Sequence, residues 1–296
     1  MAGQVINFRV SRMAVRWQGR LSIVYDECRA ASAAPAHLFC KEMSVLELTE
    51  LVSRLDDCLE PHRFRDYCPN GLQVEGRTRV ARIATGVTAS QALLDAAVEW
   101  GADAILVHHG YFWRGESQTV TGMKRRRLGT LIENDVSLLA YHLPLDAHPE
   151  LGNNACLGQR MGISIHRPLQ PDDAEGVGSV GDLPAPVTAS ELVVRLEEIT
   201  GRTPLHIGDP GATVQRIGWC TGAAQGYIDA AVAARADVFV TGEASEQTVH
   251  VAREEGIHFI AAGHHATERY GVQAVGEYLA ETCGLEHRFF DIDNPV

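Results

Sequence analysis

The chain has no apolar run near the roughly 20 residues that a membrane helix requires, and its N-terminus lacks the unbroken apolar region of a secretory signal. Neither a membrane partner nor export is expected, and a cytoplasmic location is. No CxxC occurs. The seven cysteines, Cys28, Cys40, Cys58, Cys68, Cys156, Cys220 and Cys283, are odd in number and widely spread, which argues against a disulfide framework and a thiolate zinc site. Reduced thiols are expected instead. No P-loop is present to cradle a triphosphate. Basic residues are the minority, 26 Lys and Arg against 38 Asp and Glu, and a formal charge of −12 speaks against a protein that coats nucleic acid through its phosphates. DNA as a partner would need a local basic face. The one candidate is Lys124 to Arg127 in GMKRRRLG, a pattern more often found as a solvated helix face.

Histidine, by contrast, is plentiful: there are 13, several beside Gly, Asp or a second His, which is the first hint of metal. A length of 296 residues with 45% hydrophobic content allows two ordinary domains with buried cores. Residues 1–42 stand apart, with six Lys or Arg against three Asp or Glu, leaving 20 basic and 35 acidic residues for the remainder. This basic leader reads as a flexible extension or as sequence upstream of a start at Met43. Arg9, Arg12, Arg16 and Arg20 recur near helical spacing, as in a transit-like peptide, but Asp26 and Glu27 weaken that alternative. An integral structural arm is the third option.

From Ser44 the local signals sharpen. Ser44 and Glu47 have capping-box spacing, and Leu48, Leu51, Val52, Leu55 and Leu59 form one apolar stripe, which predicts a helix over Val45 to Leu59 that Pro61 stops. DYCPNGLQVEG reads as a turn and nothing more, leading into a short strand. Arg82 to Gly110 then reads as strand, Thr88-capped helix and strand, a βαβ unit. Arg216 to Glu243 repeats it at a constant offset of 134, matching Gln91 to Gln225, Asp95 to Asp229 and Asp103 to Asp237. An internal duplication is the simplest account. A further shift of 122 superposes His142 on His264 and Asp146 on Glu268, so that polar clusters fall at related strand ends, where open α/β sheets place ligands. Pro168 to Pro186 reads as loops with at most one short strand. A second capping box, Thr188 to Glu191, predicts a helix ending at Gly201, and a helix near Val272 to Glu281 precedes a last strand near HRFFDID. The expected fold class is α/β, two related halves at 43–165 and 188–296 joined by a loop-rich connection at 166–187.

Divalent metals of the harder kind take imidazole and carboxylate, and a metal pair takes a carboxylate that can bridge both ions. His108, His109, Asp146, His264 and Glu268 supply that mixture. Residues adjacent in a strand point to opposite faces, so His108 and His109 suit two different ions if they splay at the strand end before Gly110. His264 and Glu268, four apart in GHHATE, lie on one helix face. Glu268 is then the natural bridge, with Asp146 on one ion and His264 on the other. Singly, each of these clusters is ordinary; their weight lies in combination. His142 and His148 are supporting or structural candidates, His265 points away, and Glu243 and Glu246 are candidates to line the cleft as acid or base groups. Tyr111, Phe112 and Trp113 suit the core, with base stacking as the alternative.

The segments DYCPNGLQVEG, VHHGYFW, HLPLDAHPELGNN, TGEASEQT and GHHATER, in this order, resemble the GTP cyclohydrolase I type 2 family, the NIF-three-like dinuclear metal proteins, and within it the YbgI-like members. The likeness runs from Met43 to Val296; the leader before Met43 matches nothing in the pattern. It implies two intertwined halves with a dinuclear centre in the cleft between them, in a ring-shaped homohexamer. It also implies that His108 and Asp146 serve one metal, His109 and His264 the other, and Glu268 both. Zn, Mn and Fe all suit such ligands. The family name implies water attack on the imidazole ring of GTP, so the leading expectation is a metal-dependent hydrolase of a nucleotide or related heterocycle. A metal-dependent phosphoesterase or nuclease, and a non-enzymatic ring that binds proteins or DNA, are the alternatives.

Overall fold

A computed structural model describes residues 44–163, 166–171 and 176–296. The expectations for residues 1–42 lie outside the described residues. Arg82 to Gly110 forms the expected strand, helix and strand at Arg82–Thr88, Gln91–Trp100 and Ala104–His109, with the strands parallel and Ile83 opposite Ala104. Thr213–Trp219, Ile228–Ala233 and Val238–Thr241 do the same, Ile217 lying opposite Val238. The offset of 134 extends to hydrogen bonds that the letters do not display. Asp103 Oδ2 accepts from the N–H groups of Ala81 and Arg82 at 2.8 and 2.9 Å, and Asp237 Oδ2 accepts from those of Gln215 and Arg216, both at 2.8 Å. In each βαβ unit the acid after the helix ties down the strand before it.

The shift of 122 does not hold. Ser137 lies opposite Ala104 and His258 opposite Val238, so these strands correspond from 137 to 258, a shift of 121. On that register His142 answers Gly263 rather than His264, because matching polar letters ignored which residues face each other across the ladder.

Five strands form one sheet in the order Glu286–Phe289, Arg82–Thr88, Ala104–His109, Ser137–Ala140 and Gly71–Val74, all parallel except the last. Six form the other, in the order His166–Pro168, Ser179–Thr188, Thr213–Trp219, Val238–Thr241, His258–Ala261 and Leu205–Ile207, with the third to fifth parallel. Helices cover both faces of each sheet, which is why the central strands are continuous apolar runs. The first sheet packs Leu51 and Leu55 against one face and Leu93 and Leu131 against the other. The second packs Leu192 and Leu196 on one face and Ile228 and Ala252 on the other.

The two sheets exchange elements. The helix Arg269–Cys283, which follows the last parallel strand of the second sheet, buries Val272, Val275 and Leu279 in the core of the first, and Glu286–Phe289 then completes that sheet. The helix Asn153–Met161 goes the other way, placing Leu157 and Met161 beside Trp219 in the second core. At this crossing Asn153 Oδ1 accepts from the N–H of Gly271 at 2.8 Å.

Three local expectations are corrected. The first helix begins at Leu48, because Leu46 and Glu47 pair with Val80 and Arg79 as strand, and Ser44 supplies no cap. Ser90, not Thr88, caps Gln91–Trp100 by accepting from the Leu93 N–H; Thr88 is still in the strand. The stretch from Pro168 to Pro186 is not loop-rich throughout, since Ser179–Thr188 is a ten-residue strand. Its prolines are tolerated because the register slips between Val214 and Arg216, leaving Leu183 to Pro186 without ladder partners. The capping box of Thr188 and Glu191 forms as expected, and its helix ends at Gly201.

Candidate metal centre

The strand Ala104–His109 carries both histidines to its C-terminal end. His108 is fully buried, and its Nδ1 donates to the Tyr141 carbonyl at 3.1 Å, which leaves Nε2 bare in the neutral ring. That nitrogen lies 3.5 Å from Asp146 Oδ1 and 3.4 Å from Glu268 Oε1. His109 is set by Thr88 Oγ1, 3.2 Å from its Nδ1, and its Nε2 lies 3.3 Å from Glu268 Oε2. His264 donates from Nδ1 to Glu243 Oε1 at 2.7 Å, and its Nε2 lies 3.2 Å from Glu268 Oε2. Beside two groups that join His142 to His108 and His109 and to Asp66 and Cys68, two more result, His108 with Asp146 and Glu268, and His109 with His264 and Glu268. They meet at one carboxylate.

GHHATE is not one continuous helix. A single turn, His264–Thr267, ends at Glu268, which stands at the joint with Arg269–Cys283. The joint still brings His264 and Glu268 together, and the Glu268 side chain is only 3% exposed.

The donor set fits a cation on physical grounds. His108 Nε2 and Glu268 Oε2 are buried without a hydrogen-bond partner, at a cost of ~1–3 kcal/mol or more for each such group. Separations of 3.2 to 3.5 Å are long for hydrogen bonds, yet they match the edges of a coordination shell with bonds of about 2.1 Å.

The charges are arranged to hold positive charge. Burial works against a charged His108, but Asp146 and Glu268 outweigh it and lift the ring to about 9. His264 rises likewise to about 9, as Glu268 and Glu243 overcome burial. Burial drives His109 down to about 3, with Glu268 opposing and the three other imidazoles adding to the fall. Burial and Glu268 raise Asp146 against the pull of His108, whereas the imidazoles around Glu268 hold that carboxyl well below its usual range despite burial. In metal-free protein, His108 and His264 stabilise the fold while protonated. This contribution is complete below about 6.5 and is lost as pH rises through about 9. The chelated protein is therefore expected to melt ~5 °C or more lower at pH 9 than at pH 6.5, at about 2–4 °C per kcal/mol for a protein of this size. A thermal melt series in chelator checks this, and a flat or rising profile contradicts it.

Asp146 is held by a pair that the sequence did not single out. Its Oδ1 accepts from Asn153 Nδ2 at 2.9 Å and from Thr221 Oγ1 at 3.2 Å, and Asn154 Oδ1 accepts from the Thr221 N–H at 3.0 Å. Asn154 Nδ2 also donates to the Val177 carbonyl. Two adjacent buried asparagines opening a helix were the available signal. DYCPNG is more than a turn: Asp66 Oδ1 accepts from His142 Nδ1 at 2.7 Å, and Asn70 Oδ1 accepts from the His142 N–H, also at 2.7 Å. Asp66 is held down to about 2 because His142, Asn70 and the Leu143 N–H outweigh its burial. No spacing rule links it to a histidine 76 positions later. His142 thus stands beside the centre, its ring 5.0 Å from that of His108. His148 is structural, accepting from the Glu150 and Leu151 N–H groups, and His265 turns away to Asp291. Glu243 orients His264, but Glu246 points to solvent at 94% side-chain exposure and does not line the cleft.

A cavity of about 620 Å³ opens beside the centre, lined by His109, His142, Asp146, His264 and Glu268 together with Tyr67, Trp113 and Tyr227. A cavity of about 680 Å³ elsewhere, beside Arg167, Arg216 and Arg235, holds none of these groups. Lys124 to Arg127 are not among the residues lining the first cavity. Lys124 is engaged by the Ser117 carbonyl and Glu116, and Arg125 and Arg126 are exposed. Of the aromatic run, only Tyr111 belongs to the core; Phe112 is 38% exposed and Trp113 turns into the cavity wall. Among the described residues, Cys58, Cys68, Cys156, Cys220 and Cys283 form no disulfide. Among the described residues no helix is long and apolar enough to cross a membrane.

Known proteins share both sequence and fold with this chain. The family described as Duf34/NIF3 (NGG1p interacting factor 3) matches residues 46–295. The chain is similar to the GTP cyclohydrolase 1 type 2 homolog of Pseudomonas aeruginosa, 57% identical over 251 residues that cover 85% of this chain and 99% of that protein. Among solved structures, protein ybgI is 53% identical with a TM-score of 0.81, covering 85% of this chain and 100% of its own. A Thermus thermophilus protein is 35% identical with a TM-score of 0.77 over the same shares. With a family match that spans nearly every described residue and relatives of this identity covered almost end to end, the chain belongs to the Duf34/NIF3 family.

Proposed function

We propose that the chain holds two divalent metal ions and uses them as a hydrolase of a nucleotide or related heterocycle. The observation that carries the reading is the division of Glu268, whose Oε1 faces His108 while its Oε2 faces His109 and His264. His108, Asp146 and Glu268 would hold one ion, and His109, His264 and Glu268 the other. Zinc, manganese and iron all suit imidazole and carboxylate. When bound, such a pair acidifies water and stabilises developing negative charge.

The rest is the work of the chain. Glu243 fixes the tautomer and direction of His264, and the Tyr141 carbonyl does the same for His108. Asp66 holds the proton on His142 Nδ1, which leaves Nε2 as the free nitrogen of a ring that lines the cavity. There it accepts a proton from the attacking water and returns it to the leaving nitrogen. The P. aeruginosa relative bears the name GTP cyclohydrolase 1 type 2 homolog, which supports a purine as the first compound to try. A ring-shaped homohexamer is part of the same proposal, and sedimentation should then give six times the 32.2 kDa chain mass.

The test is mass spectrometry of GTP and a nucleotide panel after incubation with metal-reconstituted protein. A ring-opened or hydrolysed product that disappears on chelation supports the reading. Protein carrying two ions per chain that turns over nothing in the panel overturns it.

A further inference from the structure

We propose that Trp113 and Tyr67 form a stacking site for a planar heteroaromatic ring, so that the group presented to the centre is a heterocycle and not a phosphoester. This deepens the hydrolase reading and rests on it for the reaction, though not for the binding.

The three consecutive aromatics after Gly110 have three different fates. Tyr111 enters the core, its hydroxyl donating to the Ala89 carbonyl at 2.8 Å, while Gln73 accepts from its N–H at 2.7 Å and donates to its carbonyl at 3.1 Å. Phe112 then adopts φ 65°, a conformation that side chains of its kind rarely take. That reversal sends Trp113 back over the strand end. Its indole N–H donates to the Gly110 carbonyl at 3.1 Å, and its ring sits 4.9 Å from His142 and 6.0 Å from His109. The polar atom of the indole is satisfied locally, and the ring is left to the cavity.

Tyr67 is fastened to the same loop. Its carbonyl accepts from the Arg114 N–H at 2.7 Å, the Arg114 guanidinium lies 5.8 Å from the centre of its ring, and Arg114 donates to the Asp66 carbonyl at 3.1 Å. Two loops at the same end of the first sheet, one before Gly71–Val74 and one after Ala104–His109, are thereby locked together, each contributing an aromatic residue to one cavity wall. Packing does not account for the pair. Tyr67 is 57% exposed and gains little from burial, and the strained Phe112 peptide costs stability where a relaxed turn would not. Strain kept beside a cavity with metal-binding side chains is what a ligand contact explains. Val177, Ala224 and Tyr227 face the same space from the second sheet, giving a slot with apolar sides and a polar floor. Such a slot fits a flat ring, because every heterocyclic base offers a π face whatever its edge carries.

Guanosine is the probe, with ribose 5-phosphate as the non-aromatic control, titrated calorimetrically into zinc-loaded protein. Trp113→Ala is expected to weaken guanosine roughly 10-fold or more, in line with other stacked bases, and Trp113→Phe to keep most of the affinity. Tyr67→Ala should weaken it as well. Metal content should be unchanged in all three, and ribose 5-phosphate should be indifferent to them. Guanosine affinity unaltered by Trp113→Ala overturns the proposal, as does parallel loss of ribose 5-phosphate, or failure of the wild type to bind guanosine, adenosine or a pterin at millimolar concentration. Variants that change only the sedimentation mass also overturn it, since the rings would then serve a subunit contact. A Trp113-dependent guanosine site without turnover sinks the hydrolase reading and leaves this one standing. Turnover of a phosphoester indifferent to Trp113 does the reverse.

Discussion

On the two-ion proposal, replacing Glu268 with glutamine is expected to empty the centre of both metal ions, whereas replacing His264 with alanine should empty one half first. Glutamine keeps the length and shape of the side chain but removes its charge and turns one oxygen into an N–H donor. Oε1 and Oε2 face different groups, so whichever end becomes the amide, one group loses an acceptor oxygen and gains a donor aimed at imidazole nitrogen. Negative charge falls on both sides, since the His108 group keeps only Asp146 and the His109 group, among the described residues, keeps no carboxylate. Loss of a supporting contact alone costs metal sites 10–100-fold in affinity, so loss of this shared group should cost more than ~100-fold for each ion. Elemental analysis after gel filtration without chelator reads the outcome directly. Retention of one tightly held ion by Glu268→Gln would show that the carboxylate is not shared. Full retention in both variants would place the ions elsewhere.

Much of this centre is legible in the chain because its parts are short-range. His108 and His109 are neighbours that close a strand, His264 and Glu268 are one turn apart just after another, and the apolar run of each strand is plain from composition. The repeat at 134 is legible for the same reason, since a βαβ unit writes its helix stripe and strands locally. What the chain hides is pairing between distant segments. Nothing near Asp66 announces that it will hold His142, and nothing in a terminal HRFF announces a place beside Arg82–Thr88 in the other half. The strand Ser179–Thr188 was obscured by Pro184 and Pro186, which count against a strand unless a register slip frees them from the ladder. The same slip is invisible without the partner strand. Thr88 reads as a cap from its position before a helix, yet its hydroxyl serves His109, because the strand runs to Thr88 and the helix starts after Ser90. Propensity near an element boundary cannot separate two polar residues that are two positions apart.

Gly222→Ala is expected to damage folding and metal binding together, although the change adds one carbon. Gly222 has φ +72°, where alanine carries a strain of ~1–2 kcal/mol. The added Cβ would land on Glu268 Oε1 and lie 3.4 Å from His264 Nε2, so it intrudes on both groups of the centre. Relief by backbone movement is blocked on each side. The Gly222 N–H donates to Thr267 Oγ1 at 3.1 Å, and its carbonyl accepts from Thr241 Oγ1 at 3.1 Å and from the Gly242 N–H at 2.9 Å. Relief by side-chain movement is blocked too, because Glu268 is 3% exposed and three imidazoles surround it. Overpacking of this kind adds ~1–3 kcal/mol, for a total loss of about 2–5 kcal/mol in chemical denaturation of the chelated protein. Gly226→Ala is the control, since its Cβ would meet nothing within 4 Å, and both stability and metal content should stay at the wild-type level. Wild-type stability with both ions retained in Gly222→Ala would mean that Glu268 has room to move. A carboxylate with that freedom would not need to be shared.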